Sequence, residues 1–302
     1  MTIEPQALPP SSEWSGPAPH QELYRSYSVE EDRDRTNVHY EQPTEFFTRI
    51  VGGEWHTYSC NLWSDGGDAS QSQENKLDLL AELMQLAPGR RILEVGSGWG
   101  GPLVYLCKKY GVRGVGLTLS PTQKAYAERR IDQYGVDATI VERHWQDYED
   151  DEGFDAVFTD EVLAHVNDFD AFCRKAGSLL QPGGHFLNKE LHFTNSRYKT
   201  LSRAATFIHE LYGLTGYYRT LGEELVTLDR NGFSQDVVHQ IPREQYRRTA
   251  EDWLANMRAH EEELRDLVGE EYFRRFRIYL KLVRKLFTMR TMTIDVVSSV
   301  KL

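Results

Sequence analysis

The sequence predicts an α/β protein: a parallel, doubly wound sheet carrying a helical cap. Three observations carry that expectation. Short apolar runs alternate with segments of helical period, the order that builds parallel sheets. Proline and glycine punctuate their ends, as in "APGR" (87–90) and Pro182-Gly183-Gly184. And glycines crowd directly behind the first apolar run, in "RILEVGSGWGG" (91–101).

The elements follow in order. Residues 1–20 are rich in Pro and Ser and read as a disordered leader. Residues 21–75 mix charge, aromatics and turn formers, and are expected to form an arm or lid. From Gln73 the spacing of Leu77, Leu80, Leu83 and Met84 is helical. "RRILEVG" is a strand and "GPLVYLCKKYG" a helix; "VRGVGLTLS" is the next strand. Pro121 opens another helix, at a position where a missing N–H costs little. "DATIVERHW", "FDAVFTDEVL" and "GHFLNKELHF" complete five strands, so the core spans 76–193. Residues 194–230 read as the helical cap, and 231–302 hold the remaining strands, "FSQDVVHQI" and "TMTIDVVSSVKL", around a long helical stretch over 243–290.

Bulk properties exclude several classes. The net charge of −11 disfavours nucleic acid and anionic membranes, although local basic patches could override it. Cys60, Cys107 and Cys173 lie far apart, with no metal-binding spacing, which fits a reduced, cytoplasmic chain. No apolar run reaches ~18 residues, so no stable membrane insertion is expected. Whether the chain forms a homo-oligomer is left open.

In doubly wound sheets ligands bind beyond the carboxyl ends of the strands. There the backbone of Gly96 and Gly98 can approach a ligand without Cβ clashes. A dinucleotide site would show G-x-G-x-x-G and an acid ending the second strand. Here the loop is Gly96-x-Gly98-x-Gly100, Glu94 stands two residues before it, and the second strand ends in Thr118 with Gln123 following. E-x-G-x-G-x-G is the first motif of class I S-adenosylmethionine (SAM) methyltransferases, a Rossmann-like class. SAM is therefore the expected cofactor.

"HYEQPTEFFTRIVGGEWHTYSCNLW", "SQENKLDLLAELMQLAPGRRILEVGSGWGG" and "GVGLTLSPTQ", with the late "EQYRRTAEDWLANM", resemble the cyclopropane fatty acid and mycolic acid cyclopropane synthase family of SAM-dependent C-methyltransferases. The resemblance runs from about residue 38 to 302. It implies SAM contacts at Tyr58, Ser59, Gly96, Gly98, Thr118, Leu119, Gln123, Trp145 and Gln146. It also implies a bicarbonate base held by a Cys, a Glu-His pair after the fourth strand, a His on the fifth strand and a late Tyr. Cys60 and Tyr246 match. The Glu position is Ala164, followed by His165, and the fifth-strand His position is Lys189. Two ligands are absent, which argues against bicarbonate and against ring closure.

The chemistry that the resemblance implies still needs a base. An alkene attacks the SAM methyl, and the resulting carbocation must lose a proton. Glu161, at the end of the fourth strand, is the candidate. Lys189 and Glu190 point to opposite faces of the fifth strand, so only one can face the pocket. The rings of Phe193, Phe207, Tyr212, Tyr217 and Tyr218 could stabilise a cation.

Lys189, Arg197, Lys199, Arg203 and Arg219 cluster in sequence and are expected, with Tyr217 and Tyr218, to bind an anionic head group. That favours a small prenyl diphosphate such as isopentenyl diphosphate, with Mg²⁺ able to accompany it, held mainly by the substrate. No metal motif of the protein's own is seen. The alternatives are methylation or cyclopropanation of a fatty acyl lipid, and a non-catalytic SAM-binding protein.

Overall fold

The structure is a computed structural model that describes residues 27–40, 42–200 and 216–302. The leader, Arg203, Phe207 and Tyr212 lie outside the described residues, as does the side chain of Lys199.

Two helices, Val29–Tyr40 (α1) and Thr44–Val51 (α2), precede an irregular stretch that leads into Ala69–Leu83 (α3). Asp68 caps α3 by accepting the Gln71 N–H at 2.9 Å. The alternation then begins: Arg91–Val95 (β1), Gly101–Tyr110 (α4), Arg113–Thr118 (β2), Pro121–Tyr134 (α5), Ala138–Glu142 (β3), Phe154–Asp160 (β4), Phe169–Leu179 (α6) and Leu180–Phe193 (β5). Leu221–Arg230 (α7), Phe233–Ile241 (β6), Arg243–Ala259 (α8), Glu261–Thr288 (α9) and Met292–Lys301 (β7) follow.

The seven strands form one sheet in the order β3-β2-β1-β4-β5-β7-β6. The first five are parallel, as the alternation predicts. The sheet as a whole is mixed, because β7 enters between β5 and β6 and runs antiparallel to both. Side-chain alternation divides the strands between two cores. Ile92, Phe158, Leu187 and Val296 face one; Leu93, Val157, Phe186 and Val297 face the other. Burial on both faces explains why these strands read as continuous apolar runs.

A third core, of Phe46, Phe47, Ile50, Trp99, Trp253 and Phe276 among others, joins α2 to the helical pair α8 and α9. The stretch read as one helix over 243–290 is two, parted at His260, and Gly269 at φ 79° kinks the second. The stretch read as the cap, 194–230, lies partly outside the described residues. Its last ten residues are α7, whose Leu228 packs with Phe172 and Phe233 in the core beside the sheet. No helix among the described residues is long and apolar enough to cross a membrane.

One buried polar cluster pins β7. His192 on β5 bonds Asp295 of β7 through Nδ1 (3.0 Å) and Glu224 of α7 through Nε2 (2.6 Å). Asn188 donates to Glu224, and Gln240 and Thr293 donate to Asp295. Burial pushes the imidazole down, but the two carboxylates outweigh it and raise its pKa from 6.5 to about 10. The cluster's contribution is therefore full below pH 6.5 and is lost as pH rises through about 10. His192→Gln should lower the unfolding free energy by about 3–5 kcal/mol near neutral pH. Denaturant melts across that window should show the gap between wild type and variant narrowing as pH rises. A gap independent of pH would exclude a charged imidazolium.

Candidate active site

The site forms where β1 and β4 end. The Glu94-to-Gly98 turn, the 3₁₀ turn Trp145–Asp147 and the loop after β4 open onto one cavity. Tyr58, Ser59, Glu94, Gly96, Gly98, Thr118, Leu119, Gln123 and Trp145 all line it. Gln146 does not: its side chain is exposed, and its N–H bonds the ring of His144. Asp32 and Thr36 of α1 also line the cavity, so the N-terminal arm covers it.

Glycines set how closely these parts approach. A Cβ on Gly101 would sit 1.6 Å from the Trp55 carbonyl oxygen, so the absent side chain lets "HTYSC" lie against the start of α4. Gly96, at φ 79°, passes Val162 so closely that a Cβ would fall 2.5 Å from its side chain. By contrast a Cβ on Gly98 meets nothing within 4 Å, although Gly98 lines the cavity. Beside it, Glu94 Oε2 is buried without a protein partner. Burial, then Asp160, raises the Glu94 pKa well above its usual value. A glycine cradle open to the cavity and an unmet carboxyl oxygen fit the amino acid part of SAM.

Below the cavity lies a chain of buried charges. Lys76 Nζ donates to Ser59 Oγ (2.6 Å) and to Asp160 Oδ2 (2.7 Å). Lys189 Nζ donates to Asp160 Oδ1 (2.8 Å) and Glu161 Oε1 (2.6 Å). Both lysine side chains are 0% exposed. Burial raises the Asp160 pKa, but Lys189 and then Lys76 outweigh it and hold the carboxyl below its usual range. Burial lowers the Lys189 pKa, yet Asp160 and Glu161 more than reverse this.

Glu161 receives three donors. Oε1 accepts the Cys60 N–H at 2.7 Å as well as Lys189, and Oε2 accepts the Tyr246 hydroxyl at 2.7 Å. Its backbone is left-handed, at φ 60°, which a non-glycine residue holds only at a cost of about 1–3 kcal/mol. Its own N–H is tied to the Lys189 carbonyl at 2.7 Å. The Tyr246 ring stacks on Phe287 at 4.3 Å, and burial, then Glu161, raises its hydroxyl pKa well above the usual value. Tyr246 is thus a neutral donor.

Two expectations are corrected. Lys189 cannot take a substrate head group, because its ammonium is fully buried and committed to Asp160 and Glu161. Arg219 spends its guanidinium on the carbonyls of Leu163, Val166 and Asn167. Cys60 gives its N–H to Glu161, and burial pushes its thiol up to about 12, so it is no thiolate at neutral pH. Tyr217 is buried, its N–H bonded to Ala164, and Tyr218 meets Phe193 edge-on at 5.7 Å. Arg197 is exposed, with its guanidinium over Tyr198. Glu190 faces away from Lys189 and accepts the N–H groups of Ala164 (2.9 Å) and Leu191 (2.7 Å).

Asp160 and Lys76 escaped the sequence reading. The signal for Lys76 was its place on the apolar face of α3 with Leu77 and Leu80, where only a buried carboxylate could tolerate it. His56 also went unremarked. It lines the cavity at φ 47° and bonds Tyr126 and Arg130; burial, then Arg130, lowers its pKa to about 4.

The sequence profile of the mycolic acid cyclopropane synthetase family matches residues 27–297. This chain belongs to that family. Cyclopropane-fatty-acyl-phospholipid synthase from Escherichia coli (strain K12) is 28% identical over 254 residues, covering 83% of this chain and 64% of that protein. Methoxy mycolic acid synthase MmaA3 of Mycobacterium tuberculosis is 26% identical over 271 residues, 85% of this chain and 91% of that one. In structure, cyclopropane synthase MmaA2 from Mycobacterium tuberculosis superposes with a TM-score of 0.83 at 23% identity, over 89% of this chain and 98% of that one. The fold is that of the class I SAM methyltransferases, and SAM is the cofactor class that goes with it.

Lys189→Met should lower the unfolding free energy by about 3–5 kcal/mol, since it leaves two adjacent carboxylates with one lysine. Cys60→Ala keeps the N–H and should leave methyl transfer within a few-fold of wild type, read with labelled SAM. A hundredfold loss in Cys60→Ala would return a chemical role to the thiol.

Proposed function

We propose that this chain is a SAM-dependent C-methyltransferase that acts on the alkene of an unsaturated acyl lipid, with Glu161 as its base. The observation that carries this reading is the Glu161 carboxylate at the cavity wall, held by Cys60, Lys189 and Tyr246. Bound SAM supplies a methyl group to an electron-rich acceptor.

The acceptor's π electrons would form the new carbon–carbon bond as the methyl–sulfur bond breaks, its electron pair leaving on the sulfur of S-adenosylhomocysteine, and a cation would remain on the neighbouring carbon. Transfer of a proton to Glu161 then leaves the pair of electrons from that C–H bond to close a new alkene or a ring. A carboxylate offers about four acceptor positions. Three are filled here, two on Oε1 and one on Oε2. The fourth, on Oε2, is left for a substrate proton. The fixed negative charge also stabilises the cation before deprotonation.

An acyl lipid is favoured over a prenyl diphosphate. Two of the cations assigned to a diphosphate, Lys189 and Arg219, are turned inward and satisfied. The relatives' names point the same way: they are a cyclopropane-fatty-acyl-phospholipid synthase and mycolic acid synthases.

The test is methyl-labelled SAM with unsaturated phospholipids and with short prenyl diphosphates, read by mass spectrometry. Label should enter the lipid. Glu161→Gln should slow it by a factor on the order of 10²–10⁴ while SAM affinity, read by calorimetry, changes little. Label in the diphosphate alone would overturn the acceptor, and an active Glu161→Gln would overturn the base.

A further inference from the structure

The last part of α9 is at odds with the rest of the chain. In a protein of net charge −11, residues 273–290 carry seven Lys or Arg and no Asp or Glu. The helix, with Met289 and Arg290 just after its last residue, divides these side chains by exposure. Leu280, Val283 and Phe287 are buried, whereas Lys281, Arg284, Lys285 and Arg290 are exposed. Among the described residues, Lys281, Lys285 and Arg290 make no ion pair; Arg284 lies 3.8 Å from Glu251, which Arg247 also holds. The first turn of α8 adds Arg243 at the same end, its Nε donating to the Met292 carbonyl at 3.3 Å. Arg274 and Arg275 pair with Glu271, and Arg277 lies 3.9 Å from Glu261, so the cations of this stretch that lack an ion pair lie toward its C-terminal end.

Met289 lies among these cations and is 59% exposed, one of few large apolar side chains so open among the described residues. The buried face of the same helix reaches the active site: Phe287 stacks on Tyr246, whose hydroxyl donates to Glu161. A cationic outer face, a protruding apolar side chain and an inner face on the reacting groups thus lie within one helix thickness.

We propose that the C-terminal end of α9 is a docking surface for anionic phospholipid membranes. Lysine and arginine side chains near an anionic leaflet each contribute about 1 kcal/mol, roughly a fivefold gain in binding. Met289 would enter the interface between the head groups, the pattern of helices that lie on membranes. The negative remainder of the chain is repelled from the same leaflet, so the charge asymmetry orients the molecule with α9 toward the lipid. A nucleic acid would match the cations but would leave Met289 without a partner.

This inference gives the acyl-lipid reading its place of encounter and rests on it in that sense, but its readout is binding, not turnover. The full chain is sedimented with vesicles of phosphatidylcholine alone, and with vesicles containing about 30% phosphatidylglycerol. Wild type should bind the anionic vesicles alone, and should be released by ~0.5 M salt. The triple variant Lys281→Gln/Lys285→Gln/Arg290→Gln should bind on the order of 100-fold more weakly, with unchanged melting temperature and SAM affinity. The salt titration on wild type stands even if the variant folds poorly.

Failure of wild type to bind anionic vesicles, equal binding to neutral ones, or full binding by a folded triple variant would each overturn the proposal. Tighter binding to duplex DNA than to anionic vesicles at equal salt would overturn the membrane assignment. Vesicle binding that follows the expected pattern, with no label entering any lipid, would refute the acyl acceptor and leave the docking surface standing.

Discussion

Two lysines and two carboxylates, buried together at the end of β4, are the constraint on which the site depends. Lys76, Asp160, Lys189 and Glu161 sum to zero charge, which is why burial is tolerable. They also join three distant parts of the chain. Lys76 comes from α3, the two acids follow one another at and after β4, and Lys189 lies on β5. Through Ser59 and the Cys60 N–H the network fixes the N-terminal segment, and through Tyr246 it fixes α8. Removing any member would strand a charge in a low-dielectric interior.

That network gives the carboxylate at the cavity wall its orientation. The donors around Glu161 come from a backbone amide, an ammonium and a phenol, none of which can turn away without breaking other contacts. Preorganisation of this kind suits a short-lived cation, because the stabilising charge needs no rearrangement as the cation forms.

The centre of the sheet was legible in the sequence because β1, β4, β5 and β7 are buried on both faces, so apolar runs mark them. The order of the last two was not, since nothing in "TMTIDVVSSVKL" says that it inserts between β5 and β6. The cofactor loop was legible because few backbones need glycines so close together. The charge network was half legible. Glu161 stood out by its position after a strand, but Lys189 was read as a cation for a substrate head group. Its partner Asp160 is 29 residues away, and only the parallel register, Asp160 beside Lys189, makes them neighbours. Arg219 was misread for the same reason: its partners are carbonyls, which leave no mark in a sequence. The basic face of α9 was hidden by averaging, because Glu-rich turns precede it in the same helix.

The left-handed backbone at Glu161 limits which residues that position can hold. Glycine adopts φ near 60° freely, asparagine and aspartate at modest cost, and β-branched residues hardly at all. Glycine there would keep the turn and remove the tethered carboxylate. The Cys60 amide, the Lys189 ammonium and the Tyr246 hydroxyl would then converge on a gap shaped like the group they lost, a receptor for a small carboxylate from solution. The fold, in other words, builds an anion-binding site and fills it with its own side chain.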